Sequence, residues 1–176
     1  MYRIMLSLLI LVSVFSITAC NTLGILQSTP SPAEREAEEY AVYRTILEGS
    51  KEGCIHSLTI TSGTNPGPSQ LDSESFSDLD AELIEDYNQV LPESVPLNPD
   101  LLGEPVTLLS GYDEWPCMFI QGFSRVGFNQ RMDEALVYHE SKAPLWALAG
   151  GGELIYLVKG QDGTWKIEWH KRIWKS

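Results

Sequence analysis

The chain has 176 residues, 43% of them hydrophobic and 10% aromatic, which calls for one packed domain rather than a repetitive or disordered chain. Its formal net charge is −12, from 24 Asp and Glu against 12 Lys and Arg. A surface that negative repels phosphate backbones and argues against nucleic acid as a partner.

Met1-Tyr2-Arg3 is a short basic start, followed by an apolar run from Ile4 to Ile17 broken only by serines. The run is shorter than the ~20 residues a spanning helix needs, and fits the apolar core of a signal peptide. Ile17-Thr18-Ala19-Cys20 then resembles the lipobox of bacterial lipoproteins: an aliphatic residue, two small ones and a cysteine. The resemblance implies that residues 1–19 are a cleaved leader and that Cys20 carries diacylglycerol on sulfur, usually with a third acyl chain on its amine. Two or more chains give stable anchoring. Asn21 after the cysteine resembles the enteric signal for the outer membrane, which implies its periplasmic side in a Gram-negative host. Residues 20–32 read as a lipidated cysteine and a mobile, uncharged Ser/Thr/Pro/Gly tether. Residues 33–176 remain for a single α+β domain of roughly 140 residues, large enough to fold without a staple.

A first helix is expected from the capping box Ser31-Pro32-Ala33-Glu34 to about Gly49, with Ala37, Tyr40, Tyr43 and Leu47 on one face. Cys54–Ser62 alternates as a half-buried strand, His56, Leu58 and Ile60 on one side and Ser57, Thr59 and Thr61 on the other. A second helix is expected from near Ser77-Asp78 to Pro92. Prolines make Leu91–Pro105 irregular. Strands are expected at Val106–Leu109, Met118–Asn129, Glu134–Glu140, Glu153–Lys159 and Thr164–Trp174. The last has Trp165, Ile167, Trp169 and Ile173 facing one way, after an Asp162-Gly163 hairpin signal.

This order predicts two helices on the concave side of a curved antiparallel sheet that ends in a C-terminal meander, a roll of the cystatin or nuclear-transport-factor kind. Ser124-Arg125-Val126-Gly127-Phe128-Asn129, Ala135-Leu136-Val137-Tyr138, Gly150-Gly151-Gly152 and Gly163-Thr164-Trp165-Lys166-Ile167 together resemble a group of uncharacterised exported bacterial proteins. That resemblance implies a shared fold and carries no activity with it.

No strong catalytic pattern is present. His139-Glu140 lacks the second histidine of a zinc helix, and no metal site or cofactor is expected. Gly122 to Gly127 has the wrong spacing for a nucleophile elbow. Gly150-Gly151-Gly152 precedes a strand rather than a helix and reads as a flexible turn. Arg125 and Asn129, at i and i+4 of a strand, share one face. With His56 they are the candidate ligand-binding residues, against the alternative that Arg125 pairs with an acid and Asn129 caps a turn. Of the three cysteines, Cys20 is committed to lipid, which leaves Cys54 and Cys117 to pair as a disulfide in an oxidising compartment or to be buried separately. The favoured function is a non-enzymatic envelope lipoprotein that binds a small ligand or another envelope protein. The alternative is a small hydrolase or isomerase with His56 as base on the floor of a concave pocket.

Overall fold

The computed structural model describes residues 29–48, 54–63, 67–103, 106–110, 117–143 and 149–176. Cys20, the leader, most of the tether, and Gly49 and Gly53 lie outside the described residues. Among the described residues no helix is long and apolar enough to cross a membrane.

Helix α1 spans Pro32–Leu47 and starts with the capping box its sequence calls for. Glu34 N donates to Ser31 Oγ at 3.2 Å, and Ser31 N donates to Glu34 Oε2 at 2.7 Å. This bond to the Ser31 backbone holds the Glu34 carboxyl below its ordinary range. The helix buries Glu39, Tyr40, Val42, Tyr43, Ile46 and Leu47. Ala37, expected on the buried face, is exposed.

Strand β1 is Cys54–His56, helix α2 is Ala81–Val90 and a single turn, α3, is Pro99–Leu102. Then come β2 (Thr107–Leu109), β3 (Ile120–Phe123), β4 (Gly127–Phe128), β5 (Glu134–Lys142), β6 (Gly150–Lys159) and β7 (Trp165–Lys175). Helix α2 starts later than Ser77-Asp78 because Asp80 is its cap, accepting from Glu82 N at 3.0 Å. The sheet runs β2-β1-β3-β5-β6-β7, with β4 also on β5. It is mixed, not purely antiparallel: β1 lies parallel to both β2 and β3, and the remaining pairs are antiparallel. The segment between β1 and β2 holds two helices, so it is long enough for the crossover that parallel pairing requires.

The helices do not share a concave side. Ala135 and Val137 of β5 pack with Phe123, Phe128, Ile155, Leu157 and Trp165 under α1. Leu136, next in sequence, packs with Leu154 and with Leu83, Tyr87 and Leu91 of the α2 region. Ala135 to Tyr138 is a continuous buried run, so both faces of the central strands need cover. Gly127 admits α2 to its face: a Cβ there would sit 2.5 Å from Tyr87 Cα.

Three strand expectations change. The strand from Cys54 stops at His56, after which Leu58 is 41% exposed and Thr59 is buried. Thr59 turns inward because its hydroxyl accepts from Val95 N at 2.9 Å. The expected Met118–Asn129 strand splits into β3 and β4, because Val126 N leaves the ladder to donate to Glu39 Oε1 at 3.1 Å. Gly150-Gly151-Gly152 is no turn but the start of β6.

On β7, two register shifts move the side chains between faces. Trp165 and Ile167 pair with Lys159 and Leu157 on the α1 face, whereas Trp169 pairs with Tyr156 and packs on the α2 side. An extra residue at a bulge reverses the parity of everything beyond it. The expected single face of Trp165, Ile167, Trp169 and Ile173 therefore does not exist. Trp165 is buried, Ile167 is 45% exposed and Trp169 is half-buried. The Asp162-Gly163 turn forms as expected, with Gly163 at φ 80° and Gly160 N donating to Thr164 O at 2.8 Å.

Candidate functional site

Arg125 and Asn129 take the structural alternative. Arg125 Nε lies 2.8 and 3.1 Å from the two oxygens of buried Glu39, and its Nη1 donates to Glu93 at 2.7 Å. Tyr43 Oη sits 2.7 Å from the same Glu39 carboxylate. Asn129 Oδ1 accepts from Asp133 N and Glu134 N at 3.1 and 3.3 Å, which caps the turn into β5. With the strand broken between them, Arg125 and Asn129 share no face and no partner. A cleft of about 300 Å³ does open beside Arg125, Glu39 and Tyr40, but the guanidinium edge there is engaged by two carboxylates.

His56 lies at the end of β1 with Nδ1 3.0 Å from Leu58 O, and lines neither this cleft nor the one below. Cys54 and Cys117 form a disulfide, with Cα atoms 6.0 Å apart, among Leu109 and Ile120. Among the described residues no group of three His, Cys, Asp or Glu is placed to hold a metal ion.

A second cleft, of about 220 Å³, lies on the α1 face at the far end of β5, β6 and β7, past the apolar cover of the helix. Register builds it. One cross-strand row is Phe123, His139, Glu153 and Arg172; the next is Gln121, Ser141, Gly151 and Lys175. Paired residues point to the same face, so both rows line one floor. Gly151 supplies no side chain, which keeps the space between Ser141 and Lys175 open. Its neighbour Gly152 serves the opposite face, where a Cβ would collide with Tyr138 Oη and Trp174 Nε1.

Glu153 is held from both sides: His139 Nδ1 lies 3.4 Å from one oxygen and His170 Nδ1 3.2 Å from the other. Hydrogen bonding from His139, more than the opposing effect of burial, lowers the Glu153 pKa below the usual carboxylate range. The His139 ring is fixed further, stacked on Phe123 at 5.1 Å with Nε2 3.1 Å from buried Gln121 Oε1. Both ring nitrogens thus face the protein. Arg172 and Lys175 form no ion pair among the described residues, although Arg172 is the direct cross-strand neighbour of Glu153. The floor offers two open cations, a serine hydroxyl and a carboxylate turned to its histidines.

Sequence reasoning passed over this site because each member looks ordinary alone: a strand histidine, a Gly run and basic residues on a terminal strand. The one available signal was His170-Lys171-Arg172 with Lys175, a basic cluster in an acidic chain. Comparison with protein families, with characterised proteins and with solved structures finds no match.

Proposed function

We propose that this chain is an exported lipoprotein of the cell envelope, anchored through lipid on Cys20, whose folded unit is a non-enzymatic binding module. In a Gram-negative host its place is the periplasmic side of the outer membrane. The address rests on the resemblance of Ile17-Thr18-Ala19-Cys20 to a lipobox and on the leader before it. The binding role rests on one observation: the cleft of β5, β6 and β7 presents Arg172 and Lys175 with no ion pair among the described residues, beside a histidine with both nitrogens engaged. A binding site needs open donors, and this cleft has them.

A small hydrolase or isomerase is the second reading. The His139–Glu153 contact favours it over the original candidate His56, because a base and its orienting carboxylate form such a pair. Against it, Nε2 of His139 is turned to Gln121 instead of the cleft. A cystatin-like roll finds support in α1 lying on one face of the antiparallel β3–β5–β6–β7 strands, while α2 on the opposite face departs from it.

The test is capture of envelope components by the lipidated chain in non-ionic detergent, with Gly151→Leu as the comparison. A Cβ at Gly151 meets only Trp174 O at 3.5 Å, so the larger side chain fills the cleft without breaking the strand. Loss of a captured component in Gly151→Leu supports the reading, and capture indifferent to the substitution rejects this cleft as the site.

A further inference from the structure

Resting on the binding-module reading, we infer that the β5–β6–β7 cleft is an oxyanion site, which takes a small molecule or headgroup through a carboxylate or phosphate held by Arg172 and Lys175. The chain has twice as many acids as bases. Among the described residues Arg172 has no ion-pair partner. Glu153, paired with it in register, gives one oxygen to His139 and the other to His170. The carboxylate that would neutralise Arg172 is thereby withheld, and the guanidinium fork keeps the geometry suited to two oxygens of one anion.

Lys175, one row along, adds a second positive charge on the same floor, and Ser141 a hydroxyl donor opposite it. Gly151 between them leaves the volume an anionic group needs. Counting Arg172, Lys175 and Glu153, the cleft carries net positive charge. In a chain of net charge −12 this is a local inversion of sign, and low-dielectric cleft walls focus such a field. The volume of about 220 Å³ lies below the usual range for drug-sized ligands, which matches one small acid or a single headgroup.

The experiment is equilibrium dialysis of radiolabelled inorganic phosphate against the full lipidated chain in non-ionic detergent, with acetate as competitor and chloride at matched ionic strength as control. The expected result is saturable binding of one phosphate, displaced by acetate and not by chloride. Arg172→Gln should weaken it roughly tenfold or more, the scale of a lost charge-assisted hydrogen bond. Gly151→Leu should abolish it, while Lys166→Gln, a β7 cation outside the cleft, should leave it unchanged. A cooperative melt for each variant separates lost binding from lost folding. Phosphatidylglycerol carried in mixed micelles with the same detergent, as a further competitor, distinguishes the source: displacement assigns the site to a lipid headgroup, and no displacement assigns it to a soluble anion. Non-saturable phosphate uptake, or equal binding in Arg172→Gln and Lys166→Gln, overturns the inference. If it is overturned while Gly151→Leu still loses a captured envelope component, the binding module stands and only its ligand class fails.

Discussion

Glu39 is the side chain on which the packing under α1 depends most. It is 4% exposed and is met by Arg125, Tyr43 and Val126 N. Burial first, and the Glu39 charge second, push the Tyr43 hydroxyl well above its ordinary range, so it stays a donor at any physiological pH. Arg125→Ala would strand a buried carboxylate, and should cost about 3–5 kcal/mol in urea unfolding. Glu39→Gln keeps a hydrogen-bonding group of the same shape and should cost less. Equal losses for the two variants would show that packing, not charge, sets the energy. Among the tryptophans, Trp165 is the anchor: it is 6% exposed, its Nε1 donates to Glu38 at 2.8 Å, and it packs against Phe128. Trp165→Ala should cost about 3–5 kcal/mol and Trp169→Ala, half-buried, clearly less. Glu153 sets a pH dependence. Its pKa is lower folded than unfolded, so its contribution is complete above the unfolded value and is lost as pH falls through the folded one. Replacing it with Gln should flatten that part of the acid limb of a stability–pH curve measured by thermal melts, and an unchanged limb would deny the His139 contact a role.

Between elements, close approach and covalent closure do most of the positioning. Helix α2 rests on Gly127 so closely that an added methyl group meets the Tyr87 backbone. Gly127→Ala should therefore lower the melting temperature by pushing α2 from Leu136 and Leu154, whereas Gly163→Ala should act only on the hairpin turn. The Cys54–Cys117 bridge spans a sequence separation of 63 that contains α2, α3 and β2. In the chain-entropy model its removal costs about 4 kcal/mol. Reductant should lower the urea midpoint of the native chain and leave that of Cys54→Ala/Cys117→Ala unmoved. The edge strand β7 is protected in a different way: Lys166, Glu168, Lys171, Arg172 and Lys175 along it, with its two bulges, discourage pairing with another chain.

For the molecule as a whole, net charge bears on the proposed attachment. A chain of net charge −12 gains little from anionic headgroups over most of its surface, so the proposed membrane anchoring would have to come from acyl chains. Cys20→Ala should abolish fatty-acid labelling and release the protein from the membrane in a carbonate wash. Retention of that variant would refute lipid anchoring without touching the cleft. The two sign regimes are separate: the chain is acidic as a whole, and the small basic floor is confined to one end of one sheet face.

Features that depend on a few consecutive residues were legible from the chain by itself. The capping box at Ser31–Glu34, the Asp162-Gly163 turn, the two longer helices and the order of the C-terminal strands follow from local hydrogen bonding and periodicity, whereas α3 lies in a stretch read as irregular. The proposed leader and the resemblance to a lipobox also rest on consecutive residues, and these lie outside the described residues. Pairing of Cys54 with Cys117 was one of two open readings, and the approach of β1 to β3 decided it. Strand direction, the sheet face each helix covers and the parity of β7 were not legible, because each is fixed by partners distant in sequence. A single bulge, invisible in a hydrophobic pattern, sends Trp169 to the face opposite Trp165. The cleft belongs wholly to the tertiary structure. His139, Glu153 and Arg172 lie on three strands and become neighbours only through the register of two ladders, which sum many weak pairings that no short window contains.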